Sequence, residues 1–112
     1  MVKPATRPCS MHSLNALALM GQLVHEARLK KNWSMAALAE RAGISRALLQ
    51  RIEQGDPGCS IGAVFEAAVL CDVPLFGLDG QQVKERMHLQ QEKLALMPKS
   101  VRLKHKEVKD DF

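Results

Sequence analysis

From Leu14 to about Lys31, apolar residues recur at intervals of three and four: Leu17, Met20, Val24 and Ala27, with Leu23 alongside. Gln22, Glu26, Lys30 and Lys31 take the other faces. That period predicts an amphipathic helix, with Ser13 as its N-cap. Asn32 breaks the pattern, and Ser34 is placed to cap a second helix, Met35 to Ala42, with Trp33 ahead of the cap set to pack on Leu38 as a hydrophobic staple. Eleven residues on, the arrangement repeats. Ser45 caps a helix from Arg46 to Gln54, Ile44 and Leu49 form the staple, and Gly55 stands where a left-handed residue ends the helix. Asp56 to Gly58 (DPG) read as a turn, and Ser60 then caps a fourth helix, Ile61 to about Cys71, with Ile61, Val64, Phe65, Ala68 and Val69 on one face. Pro74 enforces its end. Pro74 to Leu78 (PLFGL) is expected to form a short fifth helical turn that closes the core with Leu75, Phe76 and Leu78.

The flanks differ from this centre. Residues 1–12 (MVKPATRPCSMH) hold two prolines and no apolar period, and read as a flexible arm. Gln81 to Met97 carry an irregular stripe, Val83, Met87, Leu94 and Met97, that predicts a further helix. Residues 98–112 alternate charges around Val101, Leu103, Val108 and Phe112, and are expected to stay disordered or extended until they meet a partner. The expected organisation is therefore all-α: an arm over 1–12, a five-helix domain over 13–79, a C-terminal helix over 80–97 and a tail over 98–112.

Composition narrows the function. With 112 residues, 46% of them hydrophobic, the chain has material for one small core and no second domain. A net charge of +4 and a pI near 9.2 tilt it towards polyanions. Cys9, Cys59 and Cys71 are odd in number and lack CxxC spacing, so neither a disulfide framework nor a structural zinc site is indicated, and a reducing cytoplasm is the expected setting. The apolar patch Leu14 to Met20 is interrupted by Asn15 and runs on into a helix, unlike a signal peptide. There is no uninterrupted apolar run of about 20 residues that would span a membrane. His12, His25, His88 and His105 are scattered without metal spacing, and no phosphate loop, GxSxG elbow or carboxylate pair stands out. Neither an enzyme nor a cofactor is expected.

The twin capped helices carry the sharper chemistry. Two helices that cross at a tight turn need a small residue where their backbones approach and a glycine where the chain turns left-handed, and Ala39 and Gly43 supply them. Leu38, Ala42, Leu49 and Ile52 then point inward, which leaves Arg46, Ala47, Gln50, Arg51 and Gln54 on an outer edge without a carboxylate. Glu53 falls between edge and core, better placed to pair with a basic side chain than to face a phosphate.

The run SMAALAERAGISRALLQRIEQGDPGCSIGAVFEAAVLCDVPLF resembles the Xre/Cro-type helix-turn-helix domain, with Ala39, Gly43, Ile44, Leu49, Ile52, Glu53 and Gly55 at matching offsets over about Leu17 to Leu78. The resemblance implies that Arg46 to Gln54 is a recognition helix for the major groove of double-stranded operator DNA. Arg46 and Arg51 would then bond guanine, Gln50 adenine, and Ala47 or Leu48 a thymine methyl. Ser34, Met35, Ser45, Gln54, Cys59 and Ser60 become candidates for backbone phosphates, Ser60 beside Cys59 above all. Two departures stand out: Met35 replaces a common phosphate-touching Gln, and Ala47 and Leu48 replace polar residues at the helix centre. GDPGCSIGAVFEAAVLCDVPLF followed by LMPKSVRLKHKEVKDDF further resembles the HipB-type antitoxins, small repressors encoded beside HipA-like kinase toxins. That likeness implies a homodimer, with Phe65, Val73, Leu75, Phe76 and Leu78 as candidate dimer residues, and a tail that grips the kinase through Val101, Leu103 and Phe112. Two other readings stay open: a stand-alone Xre-family regulator, and a helical adaptor that binds a partner without reading DNA. Arg46 with Arg51 on the outer edge is the feature an adaptor would not require.

Overall fold

The computed structural model describes residues 9–101. They form five helices and no strand: α1 (Met11–Lys30), α2 (Met35–Ala42), α3 (Arg46–Glu53), α4 (Ile61–Leu70) and α5 (Gly80–Ala95). The all-α, helix-turn-helix expectation holds. One compact unit runs to Gly77 and a second begins at Leu78. Among the described residues, no helix is long and apolar enough to cross a membrane.

Each start has a local chemical cause. Ser34, Ser45 and Ser60 accept the backbone N–H of Ala37, Leu48 and Ala63 at 3.0, 3.0 and 3.3 Å, and each such cap is worth about 1 kcal/mol. Helix α1 begins earlier than its apolar period suggests. Ser10, not Ser13, is its cap and accepts the Ser13 N–H at 3.1 Å, so Met11 and His12 belong to the helix rather than to an arm. Gly43 ends α2 at φ 69°, and Gly55 follows α3 at φ 78°.

The core of the first unit is small and dense. Val24, Leu38, Ala39, Leu49, Ala67, Ala68, Cys71 and Val73 form it, with Met20, Ala27, Trp33, Met35, Ile44, Leu70 and Leu75 packed around. Val24, Leu38 and Leu49 are wholly buried, and trimming such a leucine to alanine costs about 2–5 kcal/mol. Trp33 and Ile44, the two residues ahead of the caps, pack against this cluster as staples should.

The expected fifth helical turn does not form. Phe76 and Gly77 both adopt left-handed backbone, at φ 57° and 71°, and two consecutive positive φ values make a tight turn of the I′ kind, which no right-handed helix tolerates. In the second unit, Asp79 and Gln82 close a reciprocal capping box that starts α5. Val83 is half-buried, and α5 fully buries none of its residues.

Candidate nucleic-acid interface

Helix α3 is held along one side by α1. Leu49 and Ile52 point into the interior. A Cβ on Gly21 of α1 would lie 2.6 Å from the carbonyl oxygens of both Ile52 and Glu53, so only glycine lets the two backbones approach this closely. At Gly55, a Cβ would come 2.8 Å from the Ala18 backbone. Ala39, the small residue expected where α2 crosses α3, is indeed buried, whereas the need for a glycine at the separate α1–α3 approach was not expected from the sequence.

A buried ion pair fastens the same contact. Arg28 of α1 donates from Nε to Glu53 Oε2 at 2.8 Å and from Nη2 to Oε1 at 3.1 Å, and its Nη1 reaches the Trp33 carbonyl at 2.9 Å. His25 Nδ1 lies 2.7 Å from Glu53 Oε1. Burial pushes the Glu53 carboxyl up, but hydrogen bonds from Arg28 and His25, with their charges, outweigh it and hold the group below its ordinary value. Hydrogen bonding to Glu53 raises Arg28 in turn, against the opposing effect of burial. The expected basic partner of Glu53 is therefore Arg28, which the sequence reading did not name. The signal was available: Arg28 falls on the Gly21 and Val24 stripe of α1, and a charge on an apolar stripe needs a buried counter-charge.

With that side committed, the opposite edge of α3 faces outward. Arg46, Ala47, Gln50, Arg51 and Gln54 are all exposed, while Leu48 is half-buried. Arg46 enters no ion pair or side-chain hydrogen bond among the described residues. Arg51 does, and here the expectation of an edge without a carboxylate fails. Its Nε donates to Asp56 Oδ2 at 2.8 Å. Hydrogen bonds from Arg51 and from the Gly58 N–H hold the Asp56 carboxyl below its ordinary value. Arg51 is thus engaged within the molecule, because the DPG turn folds its carboxylate back beside α3.

The candidate phosphate-facing residues divide. Ser34, Ser45 and Ser60 are exposed and use a hydroxyl lone pair as a cap, which leaves each O–H available to donate. Gln54 is exposed at the C-cap of α3. Cys59 is half-buried, and burial raises its thiol above the ordinary value, so it is a poor thiolate. The Met35 side chain packs on the core, which leaves its backbone N–H at the α2 N-terminus as the group that could face a phosphate. On the rim of α2, Arg41 sits 4.4 Å from the Trp33 ring centroid and Lys31 Nζ 5.2 Å from it, two cations stacked on one indole.

Of the candidate dimer residues, Val73 is corrected, since at 7% exposure it belongs to the core; Leu75 is half-buried against that core. Phe76 is 78% exposed and meets the half-buried Phe65 edge to face at 6.1 Å. Leu78 is half-buried in the second unit. Val101 is exposed, whereas Leu103 and Phe112 lie outside the described residues. No group of three His, Cys, Asp or Glu side chains that could hold a metal ion is assembled among the described residues.

A family model described as a helix-turn-helix domain matches residues 19–85, more than half of the chain. No curated protein matches it.

Proposed function

The chain belongs to the helix-turn-helix domain family, of the Xre/Cro-like kind, and from that premise we propose that it is a sequence-specific transcriptional repressor that binds a palindromic operator as a homodimer. The family supports DNA binding by a regulator. The observation that supports the finer reading is the division of α3: Leu49, Ile52 and Glu53 are committed to the fold, while Arg46, Ala47, Gln50 and Gln54 face solvent, as the residues of a recognition helix must. Arg46 is the foremost guanine reader, Gln50 pairs with adenine, and the exposed Ala47 methyl suits a thymine contact better than the half-buried Leu48 does. Selection from a random duplex library tests this. A defined motif is expected, with affinity that falls steeply with salt, and Arg46→Ala is expected to relax one position of each half-site. Binding indifferent to both sequence and salt would overturn the reading and leave the adaptor.

The dimer reading draws on α4. Ile61, Phe65 and Val69 recur every four residues on one face, with Ile61 69% and Val69 50% exposed, and Phe76 lies against Phe65. A phenylalanine held at φ 57° with its ring in water bears a backbone cost and gives up apolar burial. A second copy docking the same face would cover this patch isologously. Phe76→Asp should then turn a dimer into a monomer in sedimentation, with loss of palindrome binding and retention of weak half-site binding.

The basic segment from Met97 and the resemblance to HipB-type antitoxins favour association with a HipA-like kinase toxin through the tail, Val101 among its residues. Co-purification of the full chain with a kinase encoded beside it is the expected result. Equal association by a chain ending at Met97 would remove the tail from that contact.

A further inference from the structure

Between the fold-committed and the solvent-facing sides of α3, the Arg51 guanidinium is neither free nor buried. Its Nε bonds Asp56 Oδ2 at 2.8 Å, and the backbone ties the same two residues together again, since the Asp56 N–H donates to the Arg51 carbonyl at 3.0 Å. The carboxylate is also held at its second oxygen, Oδ1, which accepts the Gly58 N–H at 2.7 Å. Gly58 also makes room: a Cβ there would lie 2.9 Å from Arg51 Nη2. Asp56, Gly58 and the guanidinium thus form one small assembly on the outer edge of α3, with each polar group of the carboxylate accounted for.

We propose that Asp56 is a positioning residue for DNA readout, which fixes the Arg51 guanidinium by its Nε so that the two Nη groups point as a fork to a guanine, and which withholds the Arg51 charge from random phosphates. This rests on the DNA-binding reading above. Two consequences follow from the physical chemistry. A guanidinium held in place before binding loses less side-chain freedom when it meets guanine O6 and N7, which favours the one base edge that matches a bidentate fork. A carboxylate beside it cancels its charge, so Arg51 adds little to the sequence-independent attraction of the phosphate backbone. Asp56 therefore weakens binding to any duplex while sharpening choice among duplexes.

The opposite signs of these effects make the test. The full-length wild type, Arg51→Ala, Asp56→Asn and Asp56→Ala are each selected against a randomised duplex library, then titrated at several salt concentrations with the selected site and with a scrambled duplex. Thermal melts establish that each variant is folded. Arg51→Ala locates the base pair that Arg51 reads. At that pair, both Asp56 variants are expected to lose about three- to tenfold of guanine preference, yet to bind the scrambled duplex more tightly, with a salt slope steeper by about one phosphate contact. A carboxylate that merely supports the turn would weaken both duplexes alike. Unchanged preference in the Asp56 variants, or no position relaxed by Arg51→Ala, overturns the proposal while the wild-type motif leaves DNA binding intact. Failure of the wild type itself to select a motif overturns the DNA reading, and the role of Asp56 with it.

Discussion

Helix α3 takes part in two arginine–carboxylate pairs with the same Nε to oxygen distance, 2.8 Å, in opposite surroundings. Arg28 and Glu53 face each other with side chains 7% and 6% exposed, whereas Arg51 and Asp56 are 48% and 35% exposed. Coulomb attraction at a given separation is far stronger where water is excluded, but so is the cost of leaving one charge alone. The inner pair therefore acts as a fastener, whose partners need each other for the fold to persist. In the outer pair each charge is solvated, screened by salt and open to exchange with a ligand. A bond length alone would have ranked the two as equals.

The largest expected effect comes from breaking the inner pair. Glu53→Gln should destabilise the first unit by about 3–5 kcal/mol, because Arg28 keeps its charge in a dry site; thermal and urea unfolding measure it. Replacing both partners, with Arg28→Met and Glu53→Leu in one chain, should recover most of that loss, and a double variant as unstable as the single one would refute the account. Next is Gly21→Ala, whose added methyl meets two backbone carbonyls at 2.6 Å. About 1–3 kcal/mol should be lost there, with α1 displaced from α3.

A smaller effect is expected in acid. The folded Glu53 carboxyl lies below its ordinary value of 4.5, so the unfolded chain takes up this proton more readily than the folded one. Its stabilisation is present above about pH 4.5 and is lost as pH falls through the depressed folded value. Melting temperature followed from pH 6 to pH 3 should drop in the wild type, and the part due to this group should be missing from Glu53→Gln. Because burial offsets much of the lowering, the slope is modest. Smallest of all is Asp56→Ala, whose melting temperature should stay close to wild type and respond to salt only weakly; a large loss would mean that the outer pair, too, holds the fold.

How much of this could be read from the chain depends on the reach of each interaction. The caps at Ser34, Ser45 and Ser60 and the left-handed Gly43 and Gly55 were legible, because each is decided by three or four neighbouring residues. Of the inward set Leu38, Ala42, Leu49 and Ile52, the three large residues are buried and Ala42 is half-buried at the turn. Arg28 escaped because its partner lies 25 residues away, and a long charged side chain can snorkel as easily as it can be buried. PLFGL was misread for a different reason. Its apolar content suggested a core-closing helix, but Gly77 marked a turn that drew even Phe76 into left-handed backbone. Asp56 was recognised as a turn residue, yet its side chain reaches back to Arg51 five positions earlier, a contact that only the folded turn creates. The reading edge was thus visible as a set of residues, and its internal wiring was not.

The close approach at Gly21 has a consequence for how such a protein can diversify. The contacts that hold α3 in place engage its buried side chains, its last carbonyls and Glu53, and none of them involves the exposed side chains of Arg46, Ala47 or Gln50. Attachment and vocabulary are carried by separate atoms of one short helix. New target sequences can accordingly be acquired by substitution at those three positions without renegotiating the fold, and a library randomised there should yield folded proteins at nearly the rate of the parent.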